Sequence, residues 1–94
     1  MPKPKKNKYL LEPQAVLDLH GLTLVEAEAE VPDFLEEAKL KNYRKIRIIT
    51  GKGLSSQGGP VLRPWLEDYL SFAGLDWLPA KINEGGEGAF DIKL

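Results

Sequence analysis

The sequence lacks cysteine and holds a single histidine, His20, among its 94 residues. Without cysteine there is no disulfide scaffold, no thiolate nucleophile and no cysteine-ligated zinc or iron–sulfur centre. A lone histidine also excludes a metal site built from several imidazoles. The protein classes that depend on any of these centres are therefore excluded.

Long apolar runs are also missing. None approaches the roughly 18 residues of a membrane-spanning helix, and no apolar segment follows the basic start as in a secretory signal. We therefore expect a cytoplasmic protein that has no membrane segment. The 43% of hydrophobic residues is ordinary for a globular chain, and 94 residues predict a single domain.

The charges are distributed unevenly along the chain. Residues 1–8 hold four lysines and no acidic residue, whereas the rest holds nine basic and fourteen acidic residues. We expect residues 1–14 to form a basic, flexible N-terminal arm and residues 15–94 to form the folded domain. Such arms often contact nucleic acid, and the alternative is a solvated tail. The acidic body argues against a strongly basic nucleic-acid platform.

The hydrophobic pattern predicts the element order β-α-β-α-β-β. Right-handed crossovers would pair the early strands in parallel, and the last two strands would form an antiparallel hairpin. The expected fold class is α/β, a two-layer sandwich with a four-stranded mixed sheet and two helices on one face. The predicted strands are 15–19, 45–50, 76–82 and 89–94, and the predicted helices run from 23 to about 41 and over 62–73.

Local signals support several of these assignments. Thr23 followed by Glu26 forms the capping box that begins a helix. Pro32 lies inside that helix, where we expect a kink. Pro79 indicates that the third strand lies at the edge of the sheet, since proline cannot donate a ladder hydrogen bond.

Asp18 and His20 are the first candidates for chemistry. In a strand, residues two apart share a face and lie about 6.6 Å apart along the chain. A histidine can give or take a proton near neutral pH, and a neighbouring carboxylate can orient it or bind Mg²⁺ or Mn²⁺. The alternative interpretation is that both side chains cap the adjacent loop and helix.

The glycine-rich segment after the second predicted strand is the next candidate. Gly51 and Gly53 would let backbone N–H groups approach an anion, and Lys52 adds a positive charge. The segment matches neither the Walker A loop nor GxGxxG, because glycine follows Lys52 and Ser56 takes the third glycine position. The alternative is an ordinary mobile loop.

Three cations and one aromatic residue complete the candidates. Arg63 at the start of the second helix, with Lys45 and Arg47 nearby, would form a small basic patch suited to one phosphate backbone. The alternative is a charged rim on a solvated sheet. Trp77 would stack on a base if it lies on the open face, and otherwise it packs in the core or at an edge. Glu87 is either a metal ligand or an exposed residue.

Taken together, four ordered segments resemble the small MutS-related (Smr) domain family. The resemblance covers about residues 15–94 and leaves out the lysine-rich arm. Each motif is short, and their order and spacing give the set its specificity. The segments are LDLHG at 17–21, IITGKG at 48–53, GPVLR at 59–63 and GGEGA at 85–89.

This resemblance implies a fold similar to the C-terminal domain of the third translation initiation factor. It also implies nucleic-acid binding and, as in several members, endonuclease activity on DNA or RNA. By position, Asp18 and His20 match the DLHG element, and residues 51–53 match the HGxG or TGxG element. Thr50 stands where many members have a second histidine, so an acid–base scheme with two histidines is out of reach.

We therefore predict a nucleic-acid-binding domain with endonuclease activity. Alternatives are a non-catalytic module that binds nucleic acid or a ribonucleoprotein, and a protein-interaction domain that uses the acidic helix 24–41. The sequence leaves open the choice of DNA or RNA, the oligomeric state and whether Mg²⁺ or Mn²⁺ is required. The predicted catalytic residues are Asp18 and His20, and the predicted phosphate-binding residues are Gly51, Lys52, Gly53, Arg63 and Arg47.

Overall fold

The computed structural model describes residues 12–51, 61–80 and 88–94. The predicted N-terminal arm up to residue 11, Lys52, Gly53 and Glu87 lie outside these ranges. The described residues follow the predicted order β-α-β-α-β-β. The strands are β1 (Val16–Asp18), β2 (Lys45–Ile49), β3 (Asp76–Ala80) and β4 (Ala89–Lys93), and the helices are α1 (Leu24–Leu40) and α2 (Leu62–Phe72).

The four strands form one mixed sheet in the order β1-β2-β4-β3. Strand β1 is parallel to β2, and β4 is antiparallel to both of its neighbours, β2 and β3. The steps from β1 to β2 and from β2 to β3 move in the same direction across the sheet. Right-handed crossovers therefore place both helices on one face, which confirms the predicted sandwich.

Helix α1 begins at the predicted capping box. The hydroxyl of Thr23 accepts a hydrogen bond from the backbone N–H of Glu26 at 3.2 Å, and the Glu26 carboxylate accepts one from the Thr23 N–H at 2.9 Å. The helix then continues through Pro32 to Leu40. Its buried residues repeat every three or four positions, so they form a single stripe that faces the sheet: Ala27, Val31, Leu35 and Ala38.

The hydrophobic core lies between the sheet and the helices. It joins alternate strand residues to the inner faces of both helices, as the period-2 and period-3.6 patterns require. Within the described ranges, no helix is both long and apolar enough to cross a lipid bilayer. The completely buried large side chains of the core are Leu19, Val31, Ile46, Ile48, Leu62, Leu66, Leu70, Phe90 and Ile92.

Trp77 is partly buried and packs against this core, which excludes the open-face position that the sequence left as one of two alternatives. Residues paired across a sheet share a face, and Trp77 pairs with the buried Ile92. Its ring lies edge-on against Phe90, with the centroids 5.1 Å apart. The neighbouring Leu78 takes the open face instead and is 47% exposed. Edge strand β3, which contains Pro79, is where the sequence predicted it.

Candidate active site at the strand ends

The predicted catalytic residues lie at one edge of the sheet, where β1 and β2 end and β4 begins. His20 follows β1, Thr50 and Gly51 follow β2, and Gly88 immediately precedes β4. In α/β sheets, ligands bind outside the carboxyl ends of parallel strands. The topology therefore brings the predicted elements to the edge where such sites are built.

A tight turn follows β1 and fixes the backbone around His20. The N–H of Leu22 donates to the carbonyl of Leu19 at 3.0 Å, and Gly21 has a φ of +84°. A four-residue turn with positive φ at its third residue strongly favours glycine there. Gly21 thus closes the turn directly after the histidine.

Asp18 holds His20 through one carboxylate oxygen. Its Oδ1 accepts the backbone N–H of His20 at 3.0 Å and lies 2.9 Å from the ring Nδ1. A carboxylate bonded to the N–H two residues later forms an Asx turn, so backbone and ring are oriented together. The ring remains 70% exposed. With Nδ1 donating to Asp18, the lone pair of the neutral ring is on Nε2.

The same contacts govern the ionisation of Asp18. Partial burial raises the pKa of the Asp18 carboxyl, but the hydrogen bonds from the backbone N–H and the ring of His20, with the charge of that ring, lower it by more. The net result is a pKa below the ordinary aspartate value. Asp18 is therefore ionised at neutral pH and can accept a hydrogen bond from the N–H at Nδ1.

Gly51 packs between His20 and Gly88. A Cβ atom on Gly51 would lie 3.0 Å from the Cβ of His20, and one on Gly88 would lie 2.7 Å from the carbonyl carbon of Gly51. The N–H of Gly51 donates to the Gly88 carbonyl at 3.0 Å. This N–H is thus already bonded to backbone, and phosphate binding by the glycine-rich segment stays a prediction. The glycines at 85–89 stand out in the sequence, but no local pattern encodes the pairing of Gly88 with Gly51.

Arg47 and Lys45 converge on the carboxylate of Asp91, which no local pattern in the sequence connects with them. Arg47 donates to both oxygens of Asp91, from Nε at 2.7 Å and from Nη2 at 3.2 Å, and Lys45 Nζ lies 3.4 Å from Oδ2. The hydrogen bond to Asp91 raises the pKa of Arg47 above its ordinary value, against the opposing effect of burial. The cations occupy the sheet face away from the helices, because their strand positions alternate with the buried Ile46 and Ile48.

Arg63 lies on the other side of the sheet. Its guanidinium carbon is 5.0 Å from the centroid of the buried Phe90 ring, and its Nε is 3.6 Å from the Glu67 carboxylate. The predicted patch of Arg63 with Lys45 and Arg47 is therefore wrong, because the sheet separates them. Helix α2 has no acidic residue in its first turn and no side-chain cap, so the helix dipole adds positive potential near Arg63.

The described residues do not supply a divalent-metal site by themselves. In these ranges no group of three or more His, Asp or Glu side chains is placed to share an ion. Asp18 and His20 alone offer one carboxylate and one imidazole, whereas a Mg²⁺ ion completes its octahedron with further carboxylates, waters or substrate phosphates. A requirement for Mg²⁺ or Mn²⁺ therefore stays a prediction.

The family of this chain follows from its agreement with a family model. The model of the Smr domain matches residues 17–94, which include every described element from Leu17 onward. The chain belongs to the Smr domain family. The Asp18–His20 turn and the close approach of Gly51 to Gly88 thus lie within the part of the chain that matches the Smr domain.

A solved structure supports the same assignment. The crystal structure of the Smr domain of Thermus thermophilus MutS2 aligns with a TM-score of 0.72 and 32% sequence identity. The alignment covers 85% of this chain and 96% of that chain. The two Smr domains therefore share their fold over nearly the whole of the solved one.

Two longer proteins are also similar in sequence. An uncharacterised protein of Treponema pallidum is 39% identical over 85 residues, which are 87% of this chain and 42% of that protein. Endonuclease MutS2 of Carboxydothermus hydrogenoformans is 35% identical over 94 residues, which are 96% of this chain and 11% of the relative. This Smr domain thus spans less than half the length of these relatives.

Proposed function

We propose that this Smr domain binds nucleic acid and hydrolyses a phosphodiester bond at the strand ends that carry His20. The observation that carries this proposal is the exposed imidazole held at Nδ1 by Asp18. A ring fixed in this way offers Nε2 to solvent as a proton acceptor. The endonuclease named among the relatives supports the same reaction class.

His20 would move the proton in this reaction. Its Nε2 either takes a proton from the attacking water or, when protonated, gives one to the leaving oxygen. A single imidazole performs one of these transfers at a time, so solvent handles the other proton. Asp18 holds the ring and stabilises the imidazolium that forms. General acid–base catalysis of this kind contributes about 10²- to 10⁴-fold to the rate.

The predicted phosphate-binding residues would contact the phosphate. Lys52 and Gly53 follow Gly51 directly, and Arg63 lies at the start of α2, where the helix dipole also favours an anion. Positive groups aimed at the phosphate stabilise the charge that grows in the transition state. Arg47 stays a predicted phosphate contact, but the sheet separates it from Arg63, so it would contact a different phosphate of the backbone; Asp91 occupies two of the five donors of its guanidinium.

The test is a cleavage assay of the wild type beside His20→Ala. Supercoiled plasmid and structured RNA are incubated with each protein, with and without Mg²⁺ or Mn²⁺. We expect the wild type to cut one substrate and His20→Ala to lose at least about 10²-fold in rate. The substrate that is cut identifies the polymer, and the metal series tests the predicted cofactor.

A stability measurement accompanies this assay. The ring of His20 is mostly exposed, so His20→Ala should retain the wild-type circular dichroism spectrum and urea midpoint. Undiminished cleavage by a folded His20→Ala protein would contradict the catalytic role. Unfolding of the variant would mean that His20 is structural.

The alternative is a module that binds nucleic acid without cutting it. His20 is the only histidine, and the hydroxyl of Thr50 is directed at backbone carbonyls, which favours this candidate. Affinity should then fall with salt in proportion to the phosphates contacted. Arg63→Ala should reduce the slope of log K against log salt by about 0.9 on duplex DNA, whereas Lys39→Ala, on α1, should leave it unchanged.

Binding and cleavage together decide between the two candidates. Salt-dependent binding that weakens in Arg63→Ala, with no cutting of either polymer, would establish the binding module. Cleavage that depends on His20 would establish the nuclease. Binding that does not respond to salt would contradict both candidates.

A further inference from the structure

Gly51, which follows β2, and Gly88, which precedes β4, form a close backbone contact next to His20. A Cβ on Gly88 would lie 2.7 Å from the carbonyl carbon of Gly51, 2.9 Å from its Cα and 2.9 Å from its oxygen. All three atoms belong to backbone, which cannot swing aside as a flexible side chain can. Only glycine at position 88 therefore permits this approach.

Gly51 also lies against His20, so the position of Gly51 affects the position of the histidine. It has a φ of +78°, and a Cβ built on it would lie 3.0 Å from the Cβ of His20 and 3.8 Å from its Cα. Gly51 thus lies against His20 on one side and against Gly88 on the other. A displacement of Gly88 relative to Gly51 would change the surface on which His20 rests.

Thr50 forms hydrogen bonds that hold Gly51 and Gly88 together. The carbonyl of Gly88 accepts the N–H of Thr50 at 2.7 Å and the N–H of Gly51 at 3.0 Å, and the Thr50 hydroxyl lies 3.3 Å from the same oxygen. That hydroxyl also lies 3.2 Å from the Gly51 carbonyl. Thr50 is only 2% exposed, so its side chain acts on the two glycines and not on a substrate.

We propose that Thr50 and Gly88 are positioning residues, which set the place of the His20 ring through Gly51. The hydroxyl of Thr50 and the missing side chain of Gly88 keep the two segments at contact distance. His20 then stays where Asp18 can hold Nδ1 and where Nε2 can reach a bound phosphodiester. The effect on cleavage rests on the proposed function, whereas the effect on the ring does not.

The first test compares two substitutions at one position. Thr50→Val keeps the shape and the backbone hydrogen bonds but removes the hydroxyl, whereas Thr50→Ser keeps the hydroxyl. Because His20 is the only histidine, its ring signals in an NMR spectrum need no further assignment. We expect these signals to shift in Thr50→Val and to return towards the wild-type positions in Thr50→Ser.

The cleavage rate should change with the position of the His20 ring. Misplacement of a catalytic group by about 1 Å can cost 10²-fold in rate, and loss of one hydroxyl should displace His20 by less. We therefore expect kcat to fall about tenfold in Thr50→Val and to recover in Thr50→Ser, with a smaller change in KM.

The second test widens the contact and has a matched glycine control. Gly88→Ala should displace the His20 signals, because the new methyl group meets the backbone of Gly51. Gly74 has a φ of +74° with nothing within 4 Å of a built Cβ. Gly74→Ala should therefore lower stability through backbone strain and leave the ring signals in place.

The ring signals decide the outcome. Unchanged His20 signals in both Thr50→Val and Gly88→Ala, with lowered stability, would reduce the two residues to a structural role and overturn the proposal. If Gly88→Ala does not fold, the Thr50→Val and Thr50→Ser pair decides alone. If the His20 signals shift in the variants but the wild type cuts neither DNA nor RNA, the positioning role is supported and the proposed nuclease activity is contradicted. Shifted signals with unchanged kcat in a chain that cuts would overturn the catalytic consequence.

Discussion

Asp18 and Asp91 lie on the same side of the sheet and each contacts a basic side chain, but their surroundings differ. Asp18 is half exposed, and its partner His20 is 70% exposed. Asp91 is only 18% exposed and is shared by Arg47 and the almost buried Lys45. One carboxylate thus faces solvent at the strand ends, and the other lies within a cluster of charges on the sheet.

The difference in burial means that a carboxylate paired with a basic side chain serves stability at Asp91 and is available for catalysis at Asp18. Charges removed from water need a partner, and removing that partner leaves a costly uncompensated charge. Exposed pairs contribute little to stability, since water solvates both members well. The Asp91 cluster is therefore suited to holding the fold, while the Asp18–His20 pair can exchange water for a substrate at little cost.

The largest expected effect is on stability and concerns Asp91. Asp91→Ala should lower the free energy of unfolding by about 3 kcal/mol, because it leaves Arg47 and Lys45 without the carboxylate between them. Asp18→Ala should lower it by less than about 1 kcal/mol. Urea unfolding of both variants measures the difference. Equal losses would mean that burial does not distinguish the two carboxylates.

The next effect is on catalysis and reverses the order of the two residues. Asp18→Asn keeps the shape of the side chain but removes the charge that orients the ring and stabilises an imidazolium. We expect cleavage to fall about 10²-fold with little loss of stability. A variant at Asp91 that remains folded, such as Asp91→Asn, should cut at close to the wild-type rate. Equal losses of cleavage in the two variants would place the Asp91 cluster in the active site.

The sequence predicted the elements better than the contacts between them. Thr23 with Glu26 marks a helix start and Pro79 an edge strand, because capping and the missing proline N–H are local properties. The side chains of β3 could not be placed in this way. Alternation identifies two faces but not which one meets the helices, so the sequence leaves both positions open for Trp77.

In the candidate site, too, the sequence predicted contacts between residues close in the chain and not those between distant ones. Asp18 and His20 are two residues apart, so the sequence could predict their proximity; the strand ends at Asp18, however, and the contact is made by a turn in which Oδ1 bonds both the backbone and the ring of His20. Arg47 and Asp91 are 44 residues apart, and Thr50 and Gly88 are 38 apart. Such pairs depend on strand register, which no local pattern in a single sequence encodes. The basic patch was wrong because Arg63 lies on the helix side of the sheet and Lys45 and Arg47 lie on the other side.

The smallest expected effect concerns pH and tests whether the exposed pair forms in solution. The folded pKa of Asp18 is below its unfolded value of about 3.9, because hydrogen bonds from His20 outweigh the effect of burial. The unfolded chain therefore binds the proton more readily, and the contribution of Asp18 to stability is present above about pH 4. It is lost as the pH falls through the lower folded pKa.

Wild type and Asp18→Asn should accordingly differ in stability at about pH 5, and the difference should shrink as the pH falls below about 4. We expect a difference of only about 0.5 kcal/mol, because water screens a half-exposed carboxylate. An NMR titration of the Asp18 carboxyl in the folded protein measures the same quantity directly. A midpoint at or above the ordinary aspartate value would mean that His20 does not hold this carboxylate in solution. Asp18 would then lose its part in orienting the ring, and the contrast with Asp91 would reduce to burial alone.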